Sequence, residues 1–384
     1  MGQLGFAALA AAFICGCSRS PKEPPITGKR TDPAVEMRPK WEAGNRYAYR
    51  VDATISMEVP RRNNPNVMIR AEVTVGQDIA FTVTNVTADG ARSLEMELLG
   101  VQMETSADDQ VKVSFDSDNS AYITDEGALT ERLQKLIGLK MGFRLSPDNK
   151  VSRVDGTKEL SSRLSGSSNV KGVAGGILNR FFSTQFFREI IEMGMLPKDA
   201  VRIGDKWTLS RPVGGGLWGT SALLDTTHTL RGWQEHDGTN CARIDFEGTF
   251  KTNNPTNAPA APATSTNQSG VRRVVQMAKA PNIEEGTLKG RSWFEPGIAM
   301  PVETIYEQSI TAKTTTSRRP RPRPGSNVVD VVRSQGSTNP PPATNAPPPE
   351  PAVPTTTSAT TRQYTTFKLV EIGQGRPPGT AEKK

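Results

Sequence analysis

The stretch of sequence that decides the fold is residues 175–211, GGILNRFFSTQFFREIIEMGMLPKDAVRIGDKWTLSR. Its first half is rich in large apolar side chains that recur at helical spacing in two adjacent stripes. The stripes are Leu178, Phe182, Phe186, Ile190 and Met193, and Ile177, Phe181, Ile191 and Met195. This pattern predicts a core helix over residues 175–195 with an apolar face so wide that it must be covered on most sides.

Strand patterns occur on both sides of the predicted helix. The first β-rich part begins at residues 41–51, where aromatic and aliphatic residues alternate with polar or small ones. The second begins at residues 203–209, which again place a glycine and an aromatic residue at the head of a strand. We therefore predict an α+β fold of mostly antiparallel, curved β-sheet packed around one or two central helices. Two similar halves, 41–170 and 196–372, would be joined by the helix.

Two polar segments interrupt the second half. Residues 252–270 and 314–361 are dominated by Asn, Pro, Ala, Thr and Ser, and neither can bury enough apolar surface to offset the entropy lost on ordering. Because strand patterns resume after each segment, we predict disordered insertions in surface loops of one β-rich domain, residues 41–372. Residues 373–384 are predicted to form a disordered tail.

The N-terminus resembles that of a bacterial lipoprotein. Residues 4–14 form an apolar run with the length of a signal-peptide core, shorter than the roughly 20 residues that a membrane-spanning helix needs. Residues 14–17, ICGC, follow it and resemble a lipobox, in which cleavage falls before a cysteine that receives a diacylglycerol. The resemblance implies a signal peptide over residues 1–16, lipidation of Cys17, and a flexible tether over residues 17–40.

The same resemblance implies a location. An acylated Cys17 would attach the protein to a membrane of the bacterial cell envelope, facing the periplasm or the exterior, because several acyl chains bind a bilayer stably. Ser18 after the cysteine permits sorting to the outer membrane, which we expect over the inner membrane. Residues 1–5 depart from the pattern, since they contain no Lys or Arg and such signals begin with a basic segment.

Few residues are suited to catalysis. The 384 residues include two histidines and three cysteines. The cluster with metal-ligand residue types comprises His228, His236 and Cys241, with Asp225 and Asp237 nearby, and its spacing matches no zinc motif. Residues 214–219, GGGLWG, lack the lysine of a phosphate-binding loop, and the chain has no Gly-x-Ser-x-Gly motif. We predict no enzyme, no metal and no cofactor.

Positive charge is concentrated in one tract. Lys and Arg number 47 against 40 for Asp and Glu, and four of the arginines lie in residues 318–324, RRPRPRP. Such a tract is either a solvated loop or a contact for anionic envelope polymers or lipid head groups. Nucleic acid is not an expected partner in the envelope.

Three short motifs resemble an uncharacterised family of bacterial exported lipoproteins. They are residues 41–49, WEAGNRYAY, residues 196–207, LPKDAVRIGDKW, and residues 290–301, GRSWFEPGIAMP. The resemblance extends over roughly residues 41–372 apart from the insertions, and it implies no catalytic activity. A broader likeness is to carriers of the LolA and LppX type, in which a curved sheet wraps around helices and leaves an apolar cavity. The wide apolar helix fits such a cavity and a solid core equally.

The sequence therefore leaves two functions open. We expect a membrane-anchored lipoprotein that acts as a non-enzymatic binding module for an apolar or amphipathic, lipid-like ligand. The alternative is a structural or interaction lipoprotein that contacts anionic envelope polymers through its Arg-Pro tract. A hydrolase ranks third because histidines and catalytic motifs are scarce.

Overall fold

A computed structural model describes residues 23–61, 64–108, 110–119, 127–164, 173–193, 195–213, 222–252, 282–317 and 354–374. Within these ranges the chain forms twelve strands and four short helices. The strands are β1 (Asn45–Arg61), β2 (Asn64–Val86), β3 (Arg92–Ala107), β4 (Gln110–Asp116), β5 (Lys140–Leu145), β6 (Val151–Asp155), β7 (Lys206–Val213), β8 (Ala222–His236), β9 (Thr239–Thr252), β10 (Asn282–Glu295), β11 (Met300–Ser317) and β12 (Pro354–Gln374). The helices are α1 (Ala128–Leu136), α2 (Thr157–Leu164), α3 (Val173–Phe181) and α4 (Thr184–Glu192).

The strands belong to a single antiparallel sheet. Its order is β6-β5-β3-β2-β1-β12-β11-β10-β9-β8-β7, with β4 paired to β3 beside this path. Each side is thus a meander of strands that are mostly consecutive in sequence. The first and last strands join the two sides, in a register that runs from Asn45↔Gln374 to Glu58↔Thr360.

The prediction of an α+β fold around one or two central helices is wrong. Strands outnumber helices twelve to four, and each described helix has only eight or nine residues. The predicted helix over residues 175–195 is in fact two helices, α3 and α4. Ser183 separates them: its backbone is extended, and its hydroxyl accepts a hydrogen bond from the backbone N–H of Phe186 over 3.1 Å. Apolar periodicity does not detect this break, because a serine N-cap can fall between two apolar positions without disturbing their spacing.

One face of the sheet, here called the inner face, carries the core. Alternate residues of β1, including Tyr47, Tyr49 and Val51, are buried on it, as the alternation in sequence predicts. They belong to the same apolar cluster as Phe187 and Ile191 of α4. The amide Nε2 of Gln77 on β2 donates a hydrogen bond to the carbonyl oxygen of Phe181 over 3.0 Å. Helices α3 and α4 therefore pack on the inner face.

A second, smaller apolar cluster lies on strands β8 to β10. It is formed by Ala222, Leu224, Phe246, Phe250, Ile283 and Leu288, with Val213, Tyr306 and Ile310 packed against it. It is separate from the main core cluster, which reaches the same strands at Leu230, Ile244 and Phe294. The inner face thus has two apolar centres, and the space between them is where the candidate site lies.

The segment predicted as a tether is described from Glu23 onward. Thr27 pairs with Trp233 of β8 through two backbone hydrogen bonds of 2.8 and 2.9 Å. Val35 pairs with Val201 in the same way, over 2.7 and 3.0 Å. Residues 23–40 therefore make specific contacts with the body before β1 begins.

Several sequence predictions lie outside the described residues. They include the signal peptide of residues 1–16, lipidation of Cys17, and most of the insertions 252–270 and 314–361. At the described ends of the second insertion, Thr314 pairs with Thr357 between β11 and β12. None of the helices in the described ranges is long and apolar enough to cross a membrane.

Candidate ligand cavity

A cavity of about 380 Å³ lies on the inner face, between the α3–α4 pair and strands β11 and β12. Its apolar lining includes Phe181, Phe186, Ile190, Met193, Phe250 and Phe367. Small-molecule sites in proteins typically measure roughly 300–1,000 Å³ and are lined mainly by apolar side chains with a few polar groups. The cavity is therefore at the small end of the range for a ligand site.

The cavity exists because the two apolar clusters of the inner face do not meet. Phe181 and Ile190 line it from the main core cluster. Phe250 and Ile310 line it from the second cluster. Each helix has only nine residues, about 14 Å at 1.5 Å per residue, so the pair covers only part of a sheet of twelve strands. The uncovered strip beside it is the cavity.

Aromatic rings form one wall. Phe186 of α4 lies 5.3 Å from Phe181 and 6.1 Å from Phe367 of β12, measured between ring centroids. Phe367 stacks in turn on Tyr306 of β11 at 6.0 Å. This continuous set of rings is suited to contact with an alkyl chain or a flat apolar ligand.

A neighbouring part of the lining, on the same two strands as Tyr306 and Phe367, is polar and largely paired. The amide of Gln308 on β11 donates to Gln363 on β12 over 2.7 Å, and Gln363 donates to the Thr365 hydroxyl over 2.7 Å. Both glutamines line the cavity and are buried. Buried amides that bond one another in this way hold a fixed geometry, so the cavity lining has a defined polar part beside the aromatic rings.

Tyr49 is the exception to this pairing. It lines the cavity with 4% of its surface exposed, and its hydroxyl has no hydrogen-bond partner among the described residues. Burial, and secondarily the nearby Tyr47, raises the pKa of Tyr49 above its ordinary value, so the hydroxyl stays protonated. An unsatisfied buried polar group costs about 1–3 kcal/mol, and a bound ligand with an acceptor would remove that cost.

Three charged residues line the cavity: Arg180, Glu189 and Arg211. Glu189 Oε2 lies 3.5 Å from Arg211 Nη1, and both side chains are a third or more exposed. The guanidinium of Arg180, in the last turn of α3, lies 5.8 Å from the centroid of the Phe181 ring. Within the described ranges, Arg180 forms no ion pair.

The residues considered for metal binding do not form one site. His228 is buried between Trp207 and Phe246, with ring centroids at 5.5 and 5.3 Å, and burial lowers its pKa to about 4. His236 stacks on Trp293 at 4.1 Å. The two histidines are on the same strand, eight residues apart, which corresponds to about 26 Å.

Cys241 is a buried free thiol, and burial raises its pKa to about 11. The two nearby aspartates have partners other than the histidines. Asp225 accepts hydrogen bonds from Ser210 and Lys251, over 2.6 Å each, and Asp237 pairs with Lys368 at 2.7 Å. In the part of the chain that the structure describes, no group of three or more His, Cys, Asp or Glu could hold a metal ion.

An open groove of about 540 Å³ crosses the opposite face of the sheet. Four of its charged residues form two ion pairs: Lys289 lies 3.2 Å from Glu307, and Arg243 lies 2.8 Å from Asp245. Lys289 and Glu307 are exposed to solvent, and charge interactions at such a surface contribute little to binding. The cavity on the inner face is the better candidate.

Sequence reasoning identified neither Tyr49 nor Arg180 as a site residue. Tyr49 entered only as part of a strand pattern, and Arg180 lies between the apolar stripes of the predicted helix and had no role assigned. The one available signal is that Arg180 stands between Leu178 and Phe181 with no acidic residue within helical reach before it. The predicted lipidation site Cys17 and the Arg-Pro tract of residues 318–324 lie outside the described residues.

Part of the chain matches a protein family whose function is not assigned. Residues 89–273 match the family of unknown function DUF6263, which agrees with the resemblance to an uncharacterised family; the lipoprotein character stays a prediction. None of the curated proteins matches the chain in sequence.

Two solved structures align over most of this chain. One, described as lipid-protein interactions in lipovitellin, aligns with a TM-score of 0.41 and 12% identity, covering 89% of this chain and 27% of that chain. This chain thus spans about a quarter of the lipovitellin chain. The crystal structure of Pseudomonas aeruginosa OpdQ aligns with a TM-score of 0.17 and 8% identity, covering 85% of this chain and 98% of that chain. Neither likeness is close enough to argue for a ligand.

Proposed function

We propose that this protein is a non-enzymatic binding protein whose inner-face cavity holds one small apolar or amphipathic ligand. The observation that carries the proposal is the buried hydroxyl of Tyr49, which has no hydrogen-bond partner among the described residues and lines a cavity rich in aromatic and aliphatic side chains. A protein that folds around an empty cavity of this kind loses both packing contacts and a hydrogen bond. A ligand with an apolar body and a polar end restores both.

The mixed lining supports an amphipathic ligand over a purely apolar one. Phe186 and Phe367 provide apolar contact in one part of the lining, whereas Gln308 and Gln363 provide amides in the neighbouring part. An alkane or sterol-like body would leave the amides in contact with hydrocarbon, which is unfavourable. A ligand with an apolar body and a polar end can pack its body against the rings and bond its polar end to the polar groups of the lining.

Envelope attachment through Cys17 is part of the proposal and rests on the sequence alone. If the lipobox resemblance is correct, the cavity faces the periplasm or the exterior, where lipids and other amphiphiles are potential ligands. Metabolic labelling with a radioactive fatty acid tests this directly. Label should enter the wild-type chain and be lost in Cys17→Ser, and label that persists in Cys17→Ser would contradict the anchor.

The cavity itself is tested with an environment-sensitive naphthylamine dye and a blocking variant. Ile310→Trp places a larger side chain on the cavity lining of β11. Tyr364→Trp is the matched control, because Tyr364 is on the neighbouring strand, on the opposite face, and 50% exposed. We expect dye fluorescence to rise with wild type and Tyr364→Trp and to stay at the buffer level with Ile310→Trp.

Folding of the blocking variant is checked by circular dichroism and by its unfolding midpoint. If Ile310→Trp does not fold, Val213→Trp on the edge strand β7 blocks the cavity from another side. Equal dye binding by a folded blocking variant and wild type would contradict the site.

The alternative function, contact with anionic envelope polymers through residues 318–324, stays a prediction from the sequence. Deleting these residues distinguishes the two functions. A binding protein that uses the cavity keeps its affinity for the dye, whereas a polymer-binding protein loses a salt-sensitive association with the envelope polymer.

A further inference from the structure

The charges around the cavity do not balance. Arg211 and Glu189 compensate each other at 3.5 Å, which leaves Arg180 as an uncompensated positive charge on the lining of the described cavity. An excess cation at an apolar site is unfavourable because the low-polarity surroundings solvate it poorly. Such a charge is stabilised when a group of opposite charge, from the protein or from a ligand, lies beside it.

Arg180 remains charged despite this environment. Burial lowers its pKa below the ordinary value, while Tyr306 and Glu189 partly oppose that effect. An arginine guanidinium nevertheless stays protonated throughout the physiological pH range. Its position in the last turn of α3 also favours a positive charge, since the C-terminal end of a helix carries partial negative charge.

The position of Arg180 suits the polar end of an amphiphile. Glu189 acts on it electrostatically, but Glu189 also pairs with Arg211, and the side chains of that pair are 36% and 48% exposed. The Arg180 guanidinium lies 5.8 Å from the centroid of the Phe181 ring, and Phe181 contacts Phe186 at one end of the aromatic wall. A chain that packs against the rings would therefore end near Arg180.

We infer that the ligand of this cavity is a single-chain amphiphile with an anionic head group, carboxylate or phosphate, that pairs with Arg180. This inference rests on the proposed function and adds the ligand class. A guanidinium presents several N–H donors that match both oxyanions, which makes charge-assisted hydrogen bonds. A neutral or cationic head group would leave Arg180 uncompensated.

The test compares four ligands with the same dodecyl chain length: laurate, dodecyl phosphate, dodecanol and dodecylamine. Isothermal titration of the full chain at neutral pH measures each affinity below the concentration at which the ligands form micelles. We expect at least one of the two anionic ligands to bind about tenfold or more tightly than dodecanol, from the typical contribution of a hydrogen bond to a charged group. Which of the two binds better distinguishes a carboxylate from a phosphate head group.

Two variants assign the preference to Arg180. Arg180→Gln should lower the anionic affinity to that of dodecanol and leave dodecanol binding unchanged, whereas Arg180→Lys should keep part of the preference. The control is Arg362→Gln, an exposed arginine on the opposite face of β12, which should behave as wild type. If Arg180→Gln does not fold, the reduced preference for anionic ligands expected in Arg180→Lys tests the same assignment.

The outcomes separate this inference from the proposed function. If dodecanol binds as tightly as both anions, or if the preference survives in Arg180→Gln, the head-group inference is overturned and the cavity still binds ligands. If none of the four ligands binds, both the inference and the proposed function are overturned.

Discussion

The indole Nε1 of Trp207 donates a hydrogen bond to the carbonyl oxygen of Met195 over 3.0 Å. Trp207 is near the start of the edge strand β7, and Met195 is in the chain that leaves α4 and lines the cavity. The same indole stacks on His228 of β8. One side chain thus links the helix pair, the edge of the sheet and the border of the cavity.

Trp207→Phe should keep the ring contact with His228 and remove the hydrogen bond. We expect a loss of about 1 kcal/mol in the free energy of unfolding, the typical net value of one hydrogen bond. Urea unfolding followed by circular dichroism measures it, with Trp233→Phe as a second tryptophan variant in the same sheet. An unchanged midpoint for Trp207→Phe would mean that the link to Met195 is not stabilising.

Ser183→Ala tests the break between α3 and α4. The structure gives Ser183 the role of an N-cap, so alanine should lower the unfolding free energy by about 1 kcal/mol. A continuous helix predicts the opposite sign, because alanine is the better helix former in a helix interior. Ser183→Asp should retain most of the stability, since aspartate also caps. Thermal unfolding of the three proteins decides between the two arrangements.

Tyr49→Phe and Tyr47→Phe form a matched pair on β1. The Tyr47 hydroxyl donates to the Lys40 carbonyl oxygen and accepts from the Glu42 backbone N–H, each over 3.1 Å. Tyr47→Phe should therefore destabilise the protein by about 1–3 kcal/mol.

Tyr49→Phe removes a hydroxyl that has no partner among the described residues. The ligand-free protein should be as stable as wild type or more so, while affinity for an amphiphile falls. Urea unfolding without ligand, together with titration of laurate, measures both effects. A large loss of stability in ligand-free Tyr49→Phe would indicate that the hydroxyl already has a partner.

The burial of His228 predicts how stability depends on pH. Burial, with a smaller contribution from Arg211, lowers its pKa from 6.5 to about 4. Between these two values the unfolded chain binds a proton that the folded chain does not, so stability falls as the pH decreases from 6.5 towards 4. The loss attributable to His228 should be about 3 kcal/mol at most.

His228→Phe preserves a ring between Trp207 and Phe246 and removes the titrating group. Urea unfolding at a series of pH values should show a shallower decrease of stability on acidification for the variant than for wild type. Parallel curves for the two proteins would show that His228 does not titrate in this way. The other acidic and basic groups affect the pH dependence of stability equally in wild type and His228→Phe, so the difference between the two curves reports His228.

Local patterns predicted the strands well and their partners poorly. The alternation around Tyr47 and Tyr49 places the correct residues on the inner face of β1. Nothing in that pattern indicates that β1 pairs with β12, which is more than 300 residues away in sequence, with Asn45 opposite Gln374. Pairing between distant strands depends on the whole sheet, whereas alternation reports only burial of one face.

The fold class failed for a related reason. The stripes from Leu178 to Met193 correctly predicted apolar burial, since Phe182 and Ile191 are fully buried. They gave no information on helix length, because Ser183 caps a new helix within an unbroken apolar spacing. They also could not indicate how much sheet lies beyond the helices. Because the sheet is large and the helices are short, the fold is a β-sheet with small helices packed on it.

The candidate site could not be predicted from sequence because it consists of residues that are ordinary separately. Tyr49 is a strand residue and Arg180 a helix residue, 131 positions apart. They share a cavity only because the inner face has two apolar clusters that do not meet. The predicted lipidation of Cys17 and the Arg-Pro contact stay predictions.

The central claim is that the inner-face cavity binds one amphipathic ligand, and native mass spectrometry tests it most directly. The sample is the chain beginning at Ser18, which retains every described residue, titrated with laurate after organic extraction has identified any co-purifying lipid. The account predicts an adduct of a single ligand with wild type and with Tyr364→Trp, and none with Ile310→Trp. A ligand-free mass at every laurate concentration, or an adduct that persists in folded Ile310→Trp, would contradict it.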